Sequence, residues 1–202
     1  TYGARLHICH MSTAQSAELV RQAKARGVKV SCEVTPHHFA ADDSWVARSG
    51  YDANTKMNPP LRSREDVEAM LAALADGTVD AIATDHAPHH RDEKLVEFDA
   101  APNGIVGLET AFSLAVTHLI KPGVISPQRL VELLSAKPCQ LLKLPGGRLA
   151  EGEKADIVIA DPQADVVYTA ERLHSKSANS PFLDKPYFGK VTATILEGRL
   201  AF

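Results

Sequence analysis

Imidazole and carboxylate side chains collect at the ends of three short strand-like runs in this sequence. His10 ends the first run, His37 and His38 follow the second, and Asp85 and His86 follow the third. In parallel α/β folds the carboxyl ends of the strands share one edge, where loops are free to carry functional groups. Imidazole and carboxylate suit a divalent ion such as zinc, which lowers the pKa of bound water and polarises a carbonyl. The pattern favours a metal-dependent hydrolase over the alternative of ordinary core and loop histidines.

Strand-like and helix-like runs alternate in the first part of the sequence, which predicts three βα units. Residues 5–10, 28–34 and 79–84 are rich in strand formers. A capping-box pattern at Ser12 opens a helix between the first two strands, and Ser63 opens another before the third. These helices must return the chain so that all three strands run in the same direction. Further helices are expected at residues 107–119, 126–136 and 139–142.

The composition changes after Leu144, where glycines and three further strand-like runs follow. We therefore predict two domains, an α/β domain at 1–144 and a small β domain at 145–202. Three strands cannot close a (β/α)₈ barrel, which needs about 250 residues. The sequence enters its first strand without an initiator methionine or a signal peptide, so we expect a fragment of a longer chain. A small open sheet of three strands is the alternative.

The bulk composition excludes several function classes. The 202 residues are 45% hydrophobic with a formal net charge of −3, so no basic footprint for nucleic acid or anionic membrane exists. No apolar run approaches the roughly 20 residues that span a bilayer. The three cysteines are widely spaced, which favours reduced thiols in a cytoplasmic protein, with Cys9 and Cys32 buried in strands.

Several motifs together resemble those of the dihydroorotase family of the amidohydrolase superfamily. They are, in order, HICHMST, VSCEVTPHH, KMNPPLRS, IATDHAPHH, NGIVGLETAF and SKSANSPF. The combination of TDHAPH, MNPPLR and SANSPF is specific and spans essentially the whole chain. The resemblance implies strands six to eight of a (β/α)₈ TIM barrel, followed by part of a small β-sandwich. It also implies a binuclear zinc centre in the complete enzyme.

The resemblance assigns two metal ligands to this chain. His10 matches the family's sixth-strand histidine, and Asp85 matches its eighth-strand aspartate, which is also the catalytic acid and base. The family interconverts N-carbamoyl-L-aspartate and L-dihydroorotate in pyrimidine biosynthesis. The family's other ligands match nothing in this sequence, so we expect the chain alone to have no turnover.

The resemblance also implies substrate contacts. Asn58 of the MNPPLR motif, His89 of the DHAPH motif and the backbone at Asn103 and Gly104 match the family's substrate-binding positions. The family often has phenylalanine where this sequence has Asn103, so a backbone contact is expected there without the usual side-chain packing. His7 is expected to pack inside, while His37 and His38 are expected to have structural roles.

Two other functions fit the sequence less well. A dihydropyrimidinase or allantoinase is the nearest relative in chemistry, but SANSPF and the Asn58 motif disfavour it. A dihydroorotase-like scaffold without catalysis, bound to aspartate transcarbamoylase, is the other. Such a scaffold would have lost the family's metal ligands, and the presence of both His10 and Asp85 argues against this loss. By analogy with the family, a homodimer is expected.

Overall fold

The structure, a computed structural model, describes residues 3–202 and contains two separate sheets. The first sheet is parallel, and its strands β1 (Leu6–Ile8), β2 (Val30–Val34) and β3 (Ala81–Ile82) lie side by side in chain order. The backbone amide of Ala83 extends the pairing by donating to the carbonyl of Val34 at 3.1 Å. All three carboxyl ends therefore meet at one edge of the sheet.

Helices connect the parallel strands, and two of them have a hydroxyl side chain that caps the N-terminus. The hydroxyl of Thr13 accepts from the backbone amide of Ser16 at the start of the first helix, and Ser63 accepts from Asp66 at the start of the fourth. Such caps stabilise a helix by about 1 kcal/mol each. The helices up to β3 are α1 (Ala14–Ala25), α2 (Pro36–Ala40), α3 (Ser44–Arg48) and α4 (Arg64–Ala75), with a 3₁₀ turn at Ala53–Thr55.

The main hydrophobic core lies between one face of the parallel sheet and these helices. Cys32 and Val34 of β2 point into it and are fully buried, together with Met70 and Leu74 of α4. Because side chains alternate along a strand, Ser31 and Glu33 must lie on the other face. The helix-covered face is apolar, and the opposite face carries polar groups close to the functional edge.

The second sheet is antiparallel and packs on the helices that follow β3. Its strands are β4 (Ile157–Val167), β5 (Pro186–Leu196) and β6 (Arg199–Leu200). A Cβ atom on Gly189 would lie 2.7 Å from Val116, so the close approach of β5 requires glycine there. The helices after β3 are α5 (Arg91–Lys94), α6 (Ala111–Ala115), α7 (Pro127–Val131) and α8 (Lys137–Leu142), with π turns at Val116–Ile120 and Glu132–Ala136 and a 3₁₀ turn at Ala170–Arg172.

Several local expectations are wrong in detail. The first helix is capped by Thr13 instead of Ser12, and β3 is only two residues long. The runs near 156–160 and 166–168 form the single strand β4, because both pair with β5 and the residues between Asp161 and Asp165 are accommodated as a bulge. Cys9 and His7 are exposed, since they lie on the polar face of β1 and not against the helices. The cap by Ser126 with Pro127 at the first helical position is confirmed.

Within residues 3–202, no helix combines the length and apolar character needed to cross a membrane.

Candidate metal centre and active site

His10 and Asp85 come together at the carboxyl edge of the parallel sheet. The Nε2 atom of His10 lies 3.4 Å from Oδ1 of Asp85, and both side chains are about one quarter exposed. Both residues also have left-handed backbone conformations, with φ of 53° and 49°. Such a conformation costs a residue with a side chain about 1 kcal/mol or more and is typical of functional sites. Both residues of this contact therefore carry backbone strain, as do Tyr51, Lys143, Asp184 and Glu197 elsewhere in the described residues.

The separation of these two atoms suits a common cation. Zinc binds imidazole nitrogen and carboxylate oxygen at about 2.0–2.2 Å, so two ligands of one tetrahedral ion lie roughly 3.4 Å apart. A neutral imidazole nitrogen with a free lone pair and a carboxylate oxygen are both acceptors, and they repel each other unless a cation or a proton lies between them. The geometry of His10 and Asp85 therefore fits a divalent ion.

A second carboxylate, Glu33 of β2, extends this pair towards the polar face of the sheet. Its Oε1 atom lies 3.0 Å from Nδ1 of His10, and its Oε2 atom lies 3.1 Å from Nε2 of His7. The Nδ1 atom of His7 is 2.8 Å from the hydroxyl of Ser31. Sulfur of Cys9 lies within 4.8 Å of the donor atoms of His7 and Glu33, so nitrogen, oxygen and sulfur donors cluster beside the centre.

The surroundings of Asp85 raise the pKa of its carboxyl group. Burial raises the pKa of this carboxyl group, the neighbouring His10 lowers it, and the negative charge of Glu33 raises it. The net direction is upward. A bound cation would act against this shift by stabilising the carboxylate. The affinity of this carboxyl group for a proton therefore depends on the charged groups next to it. A group that both accepts and donates a proton during catalysis needs a pKa that can be tuned in this way.

The loop after Asp85 is fixed by its own histidines. The Nδ1 atom of His86 accepts from the backbone amides of Gly107 and Leu108 at 3.1 and 3.3 Å. Nε2 of His89 donates to the carbonyl of Asn103 at 2.9 Å, so His89 and Asn103 lie next to each other. His90 is mostly exposed and caps α5. The loop thus has a defined shape around the candidate site.

Gly104 lies beside Asn103 and is held tightly by its neighbours. Its amide donates to the carbonyl of Lys56 at 2.9 Å, and its own carbonyl accepts from the side chain of Asn179. With φ of 114°, a Cβ atom here would lie 2.5 Å from Cβ of Ala87. Gly104 therefore allows the loops at 87 and 104 to come into contact.

Asn179 joins three segments of the site through one buried amide group. Its Nδ2 atom donates to the carbonyls of Ala87 and Gly104 at 3.0 and 3.1 Å. Its Oδ1 atom accepts from the backbone amide of His89 at 3.1 Å and from the hydroxyl of Ser177 at 2.8 Å. The chain segment between the two sheets therefore sets the position of the loop that carries His89.

The segment containing Asn58 reaches the same edge by contacts with the ends of all three strands. Arg62 donates to the hydroxyl of Ser12, just after β1 and His10, at 3.2 Å. His38, just after β2, donates from Nε2 to the carbonyl of Pro59 at 3.0 Å. The contact between Lys56 and Gly104 ties the segment to the loop after β3. Asn58 itself is exposed, which leaves its amide free to meet a ligand.

His37 and His38 are buried beneath this segment and act structurally. Because the carbonyl of Pro59 can only accept, His38 carries its proton on Nε2, and Nδ1 accepts from the hydroxyl of Thr35 at 2.7 Å. Burial lowers the pKa of His38 to about 4, opposed by the carbonyls of Pro59 and Pro60. Burial also lowers the pKa of His37, with smaller contributions from its neighbours His38 and His10.

Acidification is expected to destabilise the fold through His38. The pKa of this group is about 4 in the folded chain and 6.5 in the reference state, so its stabilising contribution is present above pH 6.5 and lost as pH falls towards 4. The charged groups facing it, Arg62 and protonated His10, act in the same direction. Between pH 6.5 and 5, the free energy of unfolding should fall by about 1 kcal/mol per pH unit for this group.

Urea unfolding of metal-free protein at several pH values measures this effect. The variant His38→Gln should flatten the pH dependence by about one proton, while Gln140→Leu, which changes an exposed residue that does not titrate, should leave it unchanged. An equal slope in the wild-type and His38→Gln proteins would contradict the structural assignment.

The structure brings together most of the residues that the sequence singles out and adds two more. His10 meets Asp85, and His89 meets the backbone of Asn103 and Gly104. Glu33 and Asn179 were not predicted as site residues. The alternation of Ser31 and Glu33 with buried Cys32 and Val34 does indicate that Glu33 faces away from the core. For Asn179, by contrast, no local pattern reveals its partners, which lie 75 to 92 residues away in sequence.

These features define an α/β protein with a candidate cation site at the carboxyl edge of its parallel strands. The sequence profile of the Amidohydrolase family matches residues 2–201. The chain therefore belongs to the amidohydrolase family.

Named relatives and solved structures agree with this family. The chain is 52% identical over 198 residues to a dihydroorotase of Anaeromyxobacter dehalogenans, and 52% identical over 200 residues to one of Citrifermentans bemidjiense. These alignments cover 98% and 99% of this chain but only 46% of each relative, so the chain spans about half the length of these relatives.

The similar solved structures are of enzymes that are named for a different activity. An L-hydantoinase (dihydropyrimidinase) from Arthrobacter aurescens matches with a TM-score of 0.91 and 31% identity over 98% of this chain and 45% of that one. A D-hydantoinase (dihydropyrimidinase) from Thermus sp. matches with a TM-score of 0.90 and 30% identity, over the same shares of the two chains. The fold of this chain is thus also found in enzymes named for other cyclic amides.

Proposed function

We propose that this chain provides part of the active site of a zinc-dependent cyclic amide hydrolase. Its reaction would be the reversible interconversion of N-carbamoyl-L-aspartate and L-dihydroorotate in pyrimidine biosynthesis. The contact between His10 and Asp85, 3.4 Å apart at the carboxyl edge of the sheet, is the observation on which this proposal rests. The 52% identity to proteins named dihydroorotase supports the choice of substrate.

The residues present fit a zinc ion. His10 and Asp85 would hold it from the ends of the first and third strands. Glu33 would contact the other ring nitrogen of His10, Nδ1. When bound, zinc supplies Lewis acidity that lowers the pKa of water and polarises the amide carbonyl. The buried Nδ1 atom of His10, which has no aligned hydrogen-bond partner, leaves this ring able to adjust its orientation on binding.

Asp85 would carry the proton in this reaction. In the ring-opening direction it accepts a proton from the attacking water as the C–O bond forms, and donates it to the ring nitrogen as the C–N bond breaks. In the ring-closing direction the carboxyl group must begin protonated and acts in the reverse order. The upward direction of its pKa in the metal-free chain suits a group that holds a proton between these two events.

The loops would orient the substrate relative to Asp85. Nε2 of His89 donates to Asn103, so Nδ1 is the acceptor of the neutral ring and would be available to an N–H of the substrate's ureido group. Asn58, with its exposed amide, would contact the same ligand from the opposite loop. The backbone at Asn103 and Gly104 would complete the binding surface. Fixed donors at defined angles favour a planar substrate with several polar edges.

A substrate comparison with the complete gene product tests this proposal. Purified zinc-loaded protein should hydrolyse dihydroorotate at least 100-fold more efficiently than dihydrouracil, hydantoin or allantoin, measured as kcat/KM. A preference for dihydrouracil or hydantoin would replace the proposal by a dihydropyrimidinase function. The structural similarity to hydantoinases makes this the second candidate.

A metal analysis distinguishes catalysis from a purely structural role. Stoichiometric zinc that is lost together with dihydroorotate hydrolysis on chelation is the expected result. Protein with neither zinc nor turnover would instead fit a scaffold subunit that binds aspartate transcarbamoylase. A homodimer in the cytoplasm is the assembly and location that we propose for the active protein, and its mass in solution tests the former.

A further inference from the structure

The side chain of Glu33 lies between two imidazole rings on the polar face of the sheet. One carboxylate oxygen is 3.0 Å from Nδ1 of His10, and the other is 3.1 Å from Nε2 of His7. The side chain of Glu33 is only 13% exposed, less than either histidine. It is thus a largely buried carboxylate with one imidazole at each oxygen.

The donor and acceptor properties of these groups fix the protons. An ionised carboxylate only accepts, so His7 must donate from Nε2, and its Nδ1 atom accepts from the hydroxyl of Ser31 at 2.8 Å. By the same reasoning His10 presents its proton on Nδ1 to Glu33. Its Nε2 atom then carries a free lone pair and lies 3.4 Å from Oδ1 of Asp85. The series Ser31, His7, Glu33 and His10 therefore ends in a nitrogen ready to bind a cation.

We propose that Glu33 is the positioning residue of the metal centre, and that His7 and Ser31 hold Glu33 in place. The inference rests on the proposed function, because it assigns to His10 the binding of a cation. Glu33 fixes the tautomer and the ring plane of His10. A carboxylate that accepts the second N–H of a metal-binding histidine raises the basicity of the ring, and its loss typically weakens metal binding 10- to 100-fold.

The contact between Glu33 and His10 is close but not linear. The Nδ1 atom of His10 is buried and lacks an aligned hydrogen-bond partner, although Oε1 of Glu33 is only 3.0 Å away. Contacts of this kind in ligand-free sites often become aligned when the ligand binds. A small rotation of the His10 ring as Nε2 binds the cation would direct Nδ1–H at the carboxylate.

Glu33 has one competing role, as a metal ligand. Together with His7 and Cys9 it offers three donor atoms within 4.8 Å of one another, a group that could hold an ion of its own. Both carboxylate oxygens, however, already contact imidazole nitrogens, so such an ion would have to displace one of these contacts. If Glu33 were a metal ligand, Cys9 should also contribute to metal binding. If Glu33 is a positioning residue, Cys9 should not affect metal binding.

Zinc affinity in the complete gene product tests the proposal, measured by competition with a chromophoric chelator. The variant Glu33→Leu should weaken zinc binding 10- to 100-fold. The variant Glu33→Gln keeps one acceptor, so its zinc affinity should lie between those of Glu33→Leu and the wild-type protein. Cys9→Ser should bind zinc as the wild type does. The control Asp80→Asn removes another partly buried carboxylate, which binds Lys24 at 2.6 Å and the amide of Cys32, and should not change zinc affinity.

A spectroscopic measurement separates positioning from a general loss of structure. In ¹⁵N-histidine spectra of the metal-free protein, His10 should show the Nδ1–H tautomer, and Glu33→Leu should shift it towards a mixture of tautomers. Unchanged zinc affinity in Glu33→Leu, or a loss in Cys9→Ser equal to that in Glu33→Leu, would overturn the proposal. If the wild-type protein binds zinc but does not hydrolyse dihydroorotate, only the proposed function fails, since both measurements are independent of turnover.

Discussion

The variant Asp85→Asn is expected to lower kcat for dihydroorotate hydrolysis by at least 1,000-fold. An amide at this position cannot accept and return a proton, and general acid and base catalysis alone contributes about 100- to 10,000-fold. The substitution also removes a negative ligand 3.4 Å from Nε2 of His10, so zinc binding should weaken as well. Steady-state kinetics at saturating zinc, together with metal content, measures both effects.

A matched change on the same loop controls for this variant. Asp92 has a side chain that is 81% exposed, and Asp92→Asn makes the same chemical change without altering the contact between His10 and Asp85. Its kcat should stay within about twofold of the wild type. Full activity in Asp85→Asn at saturating zinc would remove Asp85 from the reaction and would leave the proposed mechanism without a proton acceptor.

The convergence of the three strand ends was predictable from the sequence because it follows from topology alone. Parallel strands joined by helices must place their carboxyl ends at one edge, so His10 and Asp85 are brought near each other despite 74 intervening positions. The contact of 3.4 Å between their side chains agrees with that reasoning. Their left-handed backbone conformations were not predictable, since neither residue type requires them.

The residues that sequence reasoning missed are those whose partners are distant and whose own types are ordinary. Glu33 lies in a strand, where a glutamate is usually a solvated residue on the exposed face. Its role becomes visible only when His7 and His10 of the neighbouring strand are placed beside it. His7 was expected to pack inside because it lies only a few positions from the strand end, but it lies on the polar face beside Glu33 and Ser31.

The fold alone does not choose among substrates. Hydantoinases and dihydropyrimidinases superpose on this chain with TM-scores near 0.9 at about 30% identity, whereas the proteins named dihydroorotase are 52% identical. The strands and helices are therefore shared, and selectivity must come from the loops at the carboxyl edge. Within the described residues, those loops contain Asn58, His89 and the backbone around Gly104, which are held together by contacts of Asn179 and Lys56.

The variant Asn179→Leu is expected to lower kcat/KM by about 100-fold or more, although Asn179 does not touch Asp85. The change leaves the carbonyls of Ala87 and Gly104 without a donor and the amide of His89 without an acceptor. Each buried group left unsatisfied costs about 1–3 kcal/mol, so the loops should move to regain partners. A displacement of about 1 Å in groups that orient a substrate typically costs 100-fold in rate.

A conservative variant keeps this prediction testable if Asn179→Leu folds poorly. Asn179→Asp retains the acceptor for His89 and Ser177 but loses both donated hydrogen bonds, so it should raise KM more than it lowers kcat. The control Gln140→Leu replaces an exposed amide on α8 and should change neither kinetic parameter. Because the proposed zinc ligands are other residues, metal content should remain stoichiometric in both Asn179 variants. Wild-type KM in Asn179→Asp would show that the loops keep their shape without this amide, and that the SANSPF segment acts only in packing.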